Sequence, residues 1–338
     1  MIIPWLDWAS LAIRWLHLAA GIAWIGTSFY FIWLDRSLRA RETLPKGVQG
    51  ESWSVHGGGF YHVQKYAVAP EALPDDLHWF KYEAYFTWLS GFALLIVLYY
   101  FGANTYLIDS TRADLTPTMA IGISVAFLIG SWGLYEALCR SPIGRSTTVL
   151  ASSVLVLILV SAFLLTQIFS DRAAFLHVGA LIGTIMSANV FVVIIPNQKK
   201  VVADLLEKKL PDPSLGAHAR QRSLHNNYLT LPVLLLMVSA HYPLLFSGGA
   251  AWGWLVVGFI IVIGAIVRHF FNTHHTGGRG VQLIWQWPLA IILGLGLIFF
   301  IASRHELRST GQVSDNQAFN IVEQHCVSCH ATHPSNPA

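Results

Sequence analysis

The sequence predicts an all-α integral membrane protein that crosses the bilayer eight times. Of its 338 residues, 54% are hydrophobic and only 12% are charged, whereas a soluble domain usually carries about twice that charge. The chain also holds 13 tryptophans and 11 tyrosines, which are enriched where helices meet the lipid headgroups. Apolar stretches of about 20 residues, the length that spans a bilayer, recur along it.

Eight apolar stretches have the length of a membrane-spanning helix. They lie at about 8–34, 84–101, 117–138, 149–168, 173–195, 224–246, 250–271 and 284–302. The first has no basic segment before it and is longer than the apolar part of a signal peptide, so it is predicted to be an uncleaved helix. In the fifth, Gly179 and Gly183 have the spacing that lets a neighbouring helix approach closely.

Basic residues are distributed unequally between the two sets of connections. Those after the first, third, fifth and seventh stretches hold sixteen Lys and Arg residues, whereas those after the second, fourth and sixth hold only Arg112 and Arg172. Lys and Arg accumulate in loops that stay in the cytoplasm. The sequence therefore predicts a multi-pass protein of the bacterial inner membrane, with both termini in the periplasm and a long cytoplasmic loop at 35–83.

The chain ends with a motif typical of covalent haem attachment. Cys326 and Cys329, followed by His330, have the C-x-x-C-H spacing in which two thiols bind the vinyl groups of a haem and the histidine ligates the iron. Such attachment takes place on the outer side of the bacterial inner membrane, the side that the charge distribution independently predicts for the C-terminus. The motif therefore predicts a haem c held by these three residues.

The segment before the motif resembles the first helix of a class I cytochrome c domain. Ser314 is a predicted helix N-cap, and Phe319 and Val322 have the spacing of one apolar helix face. Such domains supply a methionine as the sixth iron ligand, but none of the four methionines follows the motif. A cytochrome c domain truncated after its first part is expected, and His325 or His333 is the alternative sixth ligand. Residues 1–303 are assigned to the membrane domain and 304–338 to a linker and this second domain.

Four motifs carry a resemblance to a known family. They are His17–Ser28 (HLAAGIAWIGTS), Trp53–Tyr61 (WSVHGGGFY), Leu77–Tyr85 (LHWFKYEAY) and Asn226–Pro232 (NNYLTLP). Together they resemble the bacterial membrane-bound urate oxidases, which fuse an eight-helix membrane domain to a C-terminal cytochrome c domain. The resemblance spans nearly the whole chain, with its parts in the same order.

The resemblance implies an enzyme of purine breakdown. It would take two electrons from urate and give 5-hydroxyisourate after the addition of water. The electrons would pass to the fused haem and on to the respiratory chain, through an acceptor such as a terminal oxidase or a soluble cytochrome, rather than directly to dioxygen. The expected partners are thus urate, the lipid bilayer and that acceptor, and no nucleic acid.

Polar residues within the apolar stretches are candidate site residues, because ionisable groups are costly inside a bilayer. The candidates on the predicted periplasmic side are Arg14, His17, Trp24, His177, Asn227 and His241. The predicted topology gives the three histidines the same depth, so they are expected to converge in one buried layer. An interhelical hydrogen bond for each of them is the alternative.

Two functions compete for this layer. A pair of histidines on facing helices could ligate an intramembrane haem b, which would carry electrons toward haem c. Alternatively the layer binds urate, a planar monoanion suited to an arginine fork, amide groups and an aromatic ring. Arg14, Trp24 and Asn227 would then bind the substrate, and a histidine would act as general base.

A second histidine cluster is predicted on the cytoplasmic side. Its members are His56 and His62 beside Gly57–Gly59, His78, His225 and the segment 268–275. His56, His78 and His269 are its candidate site residues, whereas His274 and His275 are expected to lie in a solvated basic loop. The glycines would let a backbone approach a ligand, whereas the histidine spacing matches no standard zinc site. Because urate is cytoplasmic, this side could hold the pocket instead.

A different class of function uses the same terminal haem. The chain could be a membrane cytochrome b/c subunit that carries electrons from quinol or a partner dehydrogenase and has no organic substrate of its own. The two functions differ in whether urate alone reduces the haem.

Overall fold

The fold is a bundle of long helices with one small β-hairpin. The structure, a computed structural model, describes residues 5–68, 70, 73–309 and 314–327. The helices are α1 (Trp5–Ser37), α2 (Tyr82–Leu95), α3 (Pro117–Arg140), α4 (Thr147–Ile168), α5 (Asp171–Ala188), α6 (Ile195–Leu206), α7 (Pro213–Val238), α8 (Ala250–His275), α9 (Val281–Ile284), α10 (Gln286–Ser309) and α11 (Asp315–His325). Of three π-helical segments in the described residues, Ile96–Tyr100 extends α2, Ala103–Leu107 follows it, and Asn189–Ile194 joins α5 to α6.

Seven helices within the described residues are long and apolar enough to cross a membrane. They are α1, α2 with its π-helical extension, α3, α4, the continuous α5–α6, α8 and the joined α9–α10. This number is compatible with a multi-pass membrane protein. The remaining predicted stretch falls on α7, whose first half is rich in polar residues, most of them not buried, and whose middle buries Arg222, Asn226 and Asn227. The count of eight spans stays a prediction.

Helix α5 lies at the centre of the bundle, because its side chains are apolar or small all round. Phe175, Leu181 and Ile185 are fully buried in the main hydrophobic core. On the face toward α7, a Cβ atom at Gly179 would lie 3.2 Å from Leu236 Cβ. The close approach predicted from the Gly179 and Gly183 spacing is thus confirmed.

The mostly helical structure is compatible with the predicted all-α class, but the predicted loop between α1 and α2 contains two strands that the sequence analysis did not predict. Strands β1 (Val48–His56) and β2 (Gly59–Tyr66) pair antiparallel there and form a hairpin. Its turn consists of Gly57 and Gly58, with φ angles of 57° and 81°. Two consecutive positive φ angles are typical of the tight hairpin turn that glycine favours. The glycines therefore build a turn, and the predicted close approach to a ligand is not needed to explain them.

The hairpin is fastened to the end of α1. Arg39 and Glu51 exchange two backbone hydrogen bonds of 2.9 and 3.0 Å. The buried Glu51 carboxylate also binds Arg41 at 3.0 Å and His62 at 2.7 Å, and His62 stacks on Trp53 with ring centroids 4.2 Å apart.

The two ends of the bundle are named after this hairpin. The end at which α1, α3, α6 and α8 finish is called the hairpin end, and the other is called the opposite end.

Helices α7 and α8 are in close contact at Pro232, which lies within α7. A Cβ atom added at Gly264 would lie 2.7 Å from Pro232 Cδ, whereas one added at Gly130 of α3 would meet nothing within 4 Å. Only glycine fits at such a contact, and small residues have this role between membrane helices.

Replacing Gly264 by alanine is expected to lower the free energy of unfolding by about 1–3 kcal/mol, because the added methyl group forces α7 and α8 apart. Thermal unfolding of the purified protein in detergent measures the effect. The matched variant, Gly130→Ala, adds the same methyl group in open space and is expected to unfold no earlier than wild type. Equal loss in both variants would contradict the close α7–α8 contact.

Candidate functional site

Helix α7 carries consecutive asparagines into two buried polar clusters. In the first, Asn226 Nδ2 donates to the Met186 carbonyl at 2.9 Å, and Asn189 Nδ2 donates to Asn226 Oδ1 at 2.9 Å and to the Tyr135 hydroxyl at 3.0 Å. Since the Tyr135 oxygen accepts that bond, its own hydrogen can be donated to His225 Nδ1, 2.7 Å away. Asn189 opens the π-helical segment between α5 and α6, and such segments are frequent at functional sites.

An ion pair closes this first cluster at the hairpin end. The Arg222 guanidinium donates to Glu136 Oε2 at 2.8 Å and lies 5.3 Å from the centroid of the Tyr135 ring. Glu136 also binds the exposed Arg140 at 2.5 Å. The buried cation thus has a carboxylate partner, although Arg222 Nε and Asn189 Oδ1 have no partner among the described residues.

The second cluster, which we call the arginine–amide cluster, consists of Arg268, Asn227 and Asn272. Their exposed fractions are 4%, 0% and 1%. Arg268 Nε donates to Asn227 Oδ1 at 2.6 Å, and the Phe29 ring of α1 covers the guanidinium at 4.0 Å. Arg268 and Asn272 are four residues apart on α8 and therefore lie on one face of it.

The arginine–amide cluster has hydrogen-bonding groups that the described residues leave without partners. They are Asn227 Nδ2 and both side-chain polar atoms of Asn272. Within the same described part of the chain, Arg268 has no ion pair, in contrast to Arg222 with Glu136. Buried polar atoms are almost always satisfied, and a buried charge is costly unless it is paired. The cluster therefore has the properties of a site for a polar, negatively charged ligand.

Further positive charge surrounds the cluster. The Arg36 guanidinium at the end of α1 donates to the Asn272 carbonyl at 3.3 Å. The groups that act electrostatically on Arg268 are the Tyr228 phenol and Arg36. The His275 imidazole is within electrostatic reach of both arginines. These groups place the positive charge toward the hairpin end.

A small crevice lies between α1, α5 and α7, beside the first polar cluster. It is lined by Trp24, Ile25, Ser28, Met186, Asn226 and Thr230. Asn226 and Met186 are bonded to each other in the first cluster. The crevice therefore borders that cluster, and Trp24 gives it an aromatic wall.

His17 makes the interhelical bond that was the alternative to a ligand site. Its Nδ1 lies 3.0 Å from the Thr87 carbonyl oxygen and 3.2 Å from Ser90 Oγ, both on α2. The imidazole packs so closely on this helix that a Cβ at Gly91 would lie 2.9 Å from its Cε1. His17 thus fixes α1 against α2.

His177 is fully buried, and both ring nitrogens are bonded. Nδ1 donates to the Ala173 carbonyl at 2.7 Å, and Nε2 accepts from the Ser124 hydroxyl at 2.7 Å. Ser124 in turn lies 2.8 Å from the Tyr100 hydroxyl. Ligation of a haem iron by His177 would have to break one of these bonds.

The predicted convergence of three histidines in one buried layer is wrong. His241 is exposed, in a short 3₁₀ helix after α7. His17 bonds to α2 whereas His177 bonds to α3 and its own helix, so the two share no partner. Equal depth along the membrane normal does not bring them onto facing surfaces.

The predicted urate-binding trio is also divided. Arg14 is fifteen residues before Phe29 on α1, roughly 22 Å along the helix axis, and it acts electrostatically on Tyr99. Asn227 instead binds Arg268, and Trp24 lines the crevice beside the first polar cluster. Trp24 and Asn227 therefore lie at different places, the crevice and the arginine–amide cluster, and the arginine that Asn227 contacts is Arg268 rather than Arg14.

The histidines predicted at the cytoplasmic side lie apart from one another. His56 is exposed beside the hairpin turn, and His78 is exposed with its ring centroid 4.5 Å from that of Phe80. His269 is exposed on α8, 2.8 Å from the Tyr228 hydroxyl. In the part of the chain that the structure describes, no group of three or more His, Cys, Asp or Glu residues could hold a metal ion.

The haem motif is only partly described. Ser314 caps α11 in a capping box with Gln317, as its predicted N-cap role requires. Cys326 follows α11, is partly exposed and forms no disulfide. Cys329 and His330 lie outside the described residues.

Arg268 and Asn272 belong to the segment 268–275 of the predicted cytoplasmic cluster, in which only histidines were proposed as site residues. The available signal was their four-residue spacing, which puts an arginine and an amide on one face of an apolar helix.

The long apolar helices and the buried, positively charged polar cluster are features of a helical membrane protein with an internal ligand site. The chain belongs to the Urate oxidase N-terminal family, whose model matches residues 4–302. Membership indicates a urate-related function and an oxidoreductase, and it confirms the predicted relation to the urate oxidases. No curated protein matches the chain, and no solved structure does.

Proposed function

We propose that this protein is a membrane-bound oxidoreductase that converts urate to 5-hydroxyisourate and delivers the electrons to a c-type haem. The proposal rests on the family match over residues 4–302, which covers the helices from α1 into α10. The C-x-x-C-H motif that follows the bundle supplies the second part of the proposal.

The reaction balances without dioxygen. A urate monoanion and one water give one 5-hydroxyisourate, one proton and two electrons. Cys326, Cys329 and His330 would hold the haem, and the partly exposed Cys326 at the end of α11 suits covalent attachment. When bound, haem c supplies a one-electron acceptor that a terminal oxidase or a soluble cytochrome can reoxidise.

The distribution of basic residues supports an orientation for this reaction. The sixteen Lys and Arg residues that follow the first, third, fifth and seventh apolar stretches belong to the hairpin end. This end would face the cytoplasm. Helix α11 follows α10 at the opposite end and would lie in the periplasm of a bacterial inner membrane. Outside that membrane is also where covalent haem attachment takes place.

The contacts of these histidines do not support a haem b within the membrane domain. His177 uses both ring nitrogens in hydrogen bonds, and His241 is exposed. We therefore propose structural roles for His17 and His177, which join α1 to α2 and α5 to α3.

Urate alone is expected to reduce the haem of the full-length protein in membranes, because the substrate is oxidised by this chain itself. Absorption spectra recorded before and after urate addition, without dioxygen and without other donors, measure the reduction. Allantoin, which lacks the oxidisable ring system, is the control addition. A haem that responds to a quinol but not to urate would contradict the proposal and favour a cytochrome subunit without an organic substrate.

A further inference from the structure

We infer that the arginine–amide cluster binds the urate anion and that urate reaches it from the hairpin end of the bundle. The inference rests on the proposed function, because it names where the same reaction takes its substrate. The ligand class is a planar oxopurine anion. Arg268, Asn227 and Asn272 would contact it directly.

The charge of the cluster fits an anion. Arg268 is nearly fully buried and has no carboxylate partner among the described residues, whereas even the partly exposed Arg112 binds Asp109 and Asp171 at 3.0 and 2.8 Å. Arg36, the other charge acting on Arg268, is also positive. An anion between them removes the penalty of an unpaired buried cation, and a guanidinium can donate two parallel bonds to it.

The unpaired amide atoms fit an oxopurine in particular. Asn227 offers a free donor, and Asn272 offers a donor and an acceptor side by side. An asparagine amide reads a purine edge through this pair of groups, as it does with adenine in DNA. Urate alternates N–H and C=O groups around both rings and matches the pair. A phosphate or a simple carboxylate has no N–H for the Asn272 oxygen.

An aromatic ring lies against the cluster, as expected at a site for a planar ligand. Phe29 covers one face of the Arg268 guanidinium at 4.0 Å, and aromatic rings stack favourably on planar groups.

The position of the cluster along the helices sets the side of access. Arg268 is seven residues from the end of α8 at His275, roughly 10 Å, but eighteen residues from its start at Ala250, roughly 27 Å. Asn272 and Arg36 lie still closer to the hairpin end. The positive charge therefore faces the end at which a cytoplasmic anion would arrive.

Equilibrium dialysis of urate against the full-length protein tests the site. The haem is first reduced with ascorbate, so that bound urate is not consumed and binding is measured apart from oxidation. Arg268→Gln is expected to bind urate at least about 30-fold more weakly, because it removes the charged partner of a buried pair. Asn272→Leu, which keeps every positive charge, is expected to bind about tenfold more weakly, because it removes one hydrogen-bonding group.

Arg279→Gln is the matched control, since it removes an equal charge from an exposed position just after α8, and it is expected to bind as wild type does. Wild-type binding by both Arg268→Gln and Asn272→Leu would overturn the site while the proposed function stood. A wild-type protein that neither binds urate nor is reduced by it would overturn the proposed function as well. If Arg268→Gln fails to fold, Asn272→Leu decides alone.

Vesicles of opposite orientation test the side of access. Urate is an anion that crosses bilayers slowly, so external urate reaches only one end of the bundle. Inside-out vesicles expose the cytoplasmic side and are expected to show haem reduction on urate addition, whereas right-side-out vesicles are not. Reduction confined to right-side-out vesicles would overturn access from the hairpin end.

Discussion

Replacing both Cys326 and Cys329 by alanine is expected to remove the covalent haem and to abolish urate-dependent electron transfer. Two thioether bonds hold a haem of this type, and without them the histidine alone cannot retain it during denaturation. Haem staining after denaturing electrophoresis measures the attachment. Membrane oxygen consumption on urate addition measures the transfer, and the expected loss is complete.

Cys139→Ala is the matched control for that variant. Cys139 is the third cysteine of the chain and is buried near the end of α3. Its replacement is expected to keep both the stain and the oxygen consumption. Haem staining that persists in the Cys326→Ala/Cys329→Ala protein would refute attachment at the C-terminal motif.

The sequence was sufficient for the helices that must be apolar to lie in lipid. The stretch 84–101 corresponds to the span Tyr82–Tyr100, and 117–138 corresponds to α3. These agreements arise because hydrophobic length is fixed by the bilayer and can be counted along the chain. Helix α7 is harder to recognise, since Asn226 and Asn227 are buried by other helices and need not be apolar.

The hairpin was missed although its pattern is present. Trp53 and Val55 alternate with polar residues before a glycine pair, which is typical of a strand and a tight turn. The glycines were interpreted as a place where the backbone approaches a ligand, and the surrounding segment as part of a long cytoplasmic loop.

The site required information that a single sequence does not contain. Depth in the membrane follows from topology, so His17 and His177 could be placed at one level. Which helix each one faces depends on how the helices rotate and cross, as the contact of Gly264 with Pro232 illustrates. For the same reason Asn227 could be named as a candidate, while its partner Arg268 could be found only from the packing of α7 on α8.

The two arginines that bind Glu136 differ greatly in burial. This difference predicts how much stability is lost when each ion pair is removed by mutation. The side chain of Arg222 is 3% exposed and that of Arg140 is 74% exposed. A buried ion pair loses much stability when one partner is removed, because the remaining charge stays away from water without compensation. An exposed pair contributes little, because water solvates both groups.

Replacing Glu136 by glutamine is therefore expected to lower the free energy of unfolding by about 3–5 kcal/mol, since Arg222 is left buried and unpaired. Arg140→Ala removes the exposed partner of the same carboxylate and is expected to cost at most about 1 kcal/mol. Unfolding of the detergent-solubilised proteins, followed by circular dichroism over a series of denaturant concentrations, compares the two variants. Similar losses in both would show that Arg222 is solvated in the native protein. A large loss confined to Glu136→Gln would establish that this pair holds α3 to α7, beside the asparagines that α7 carries into the bundle.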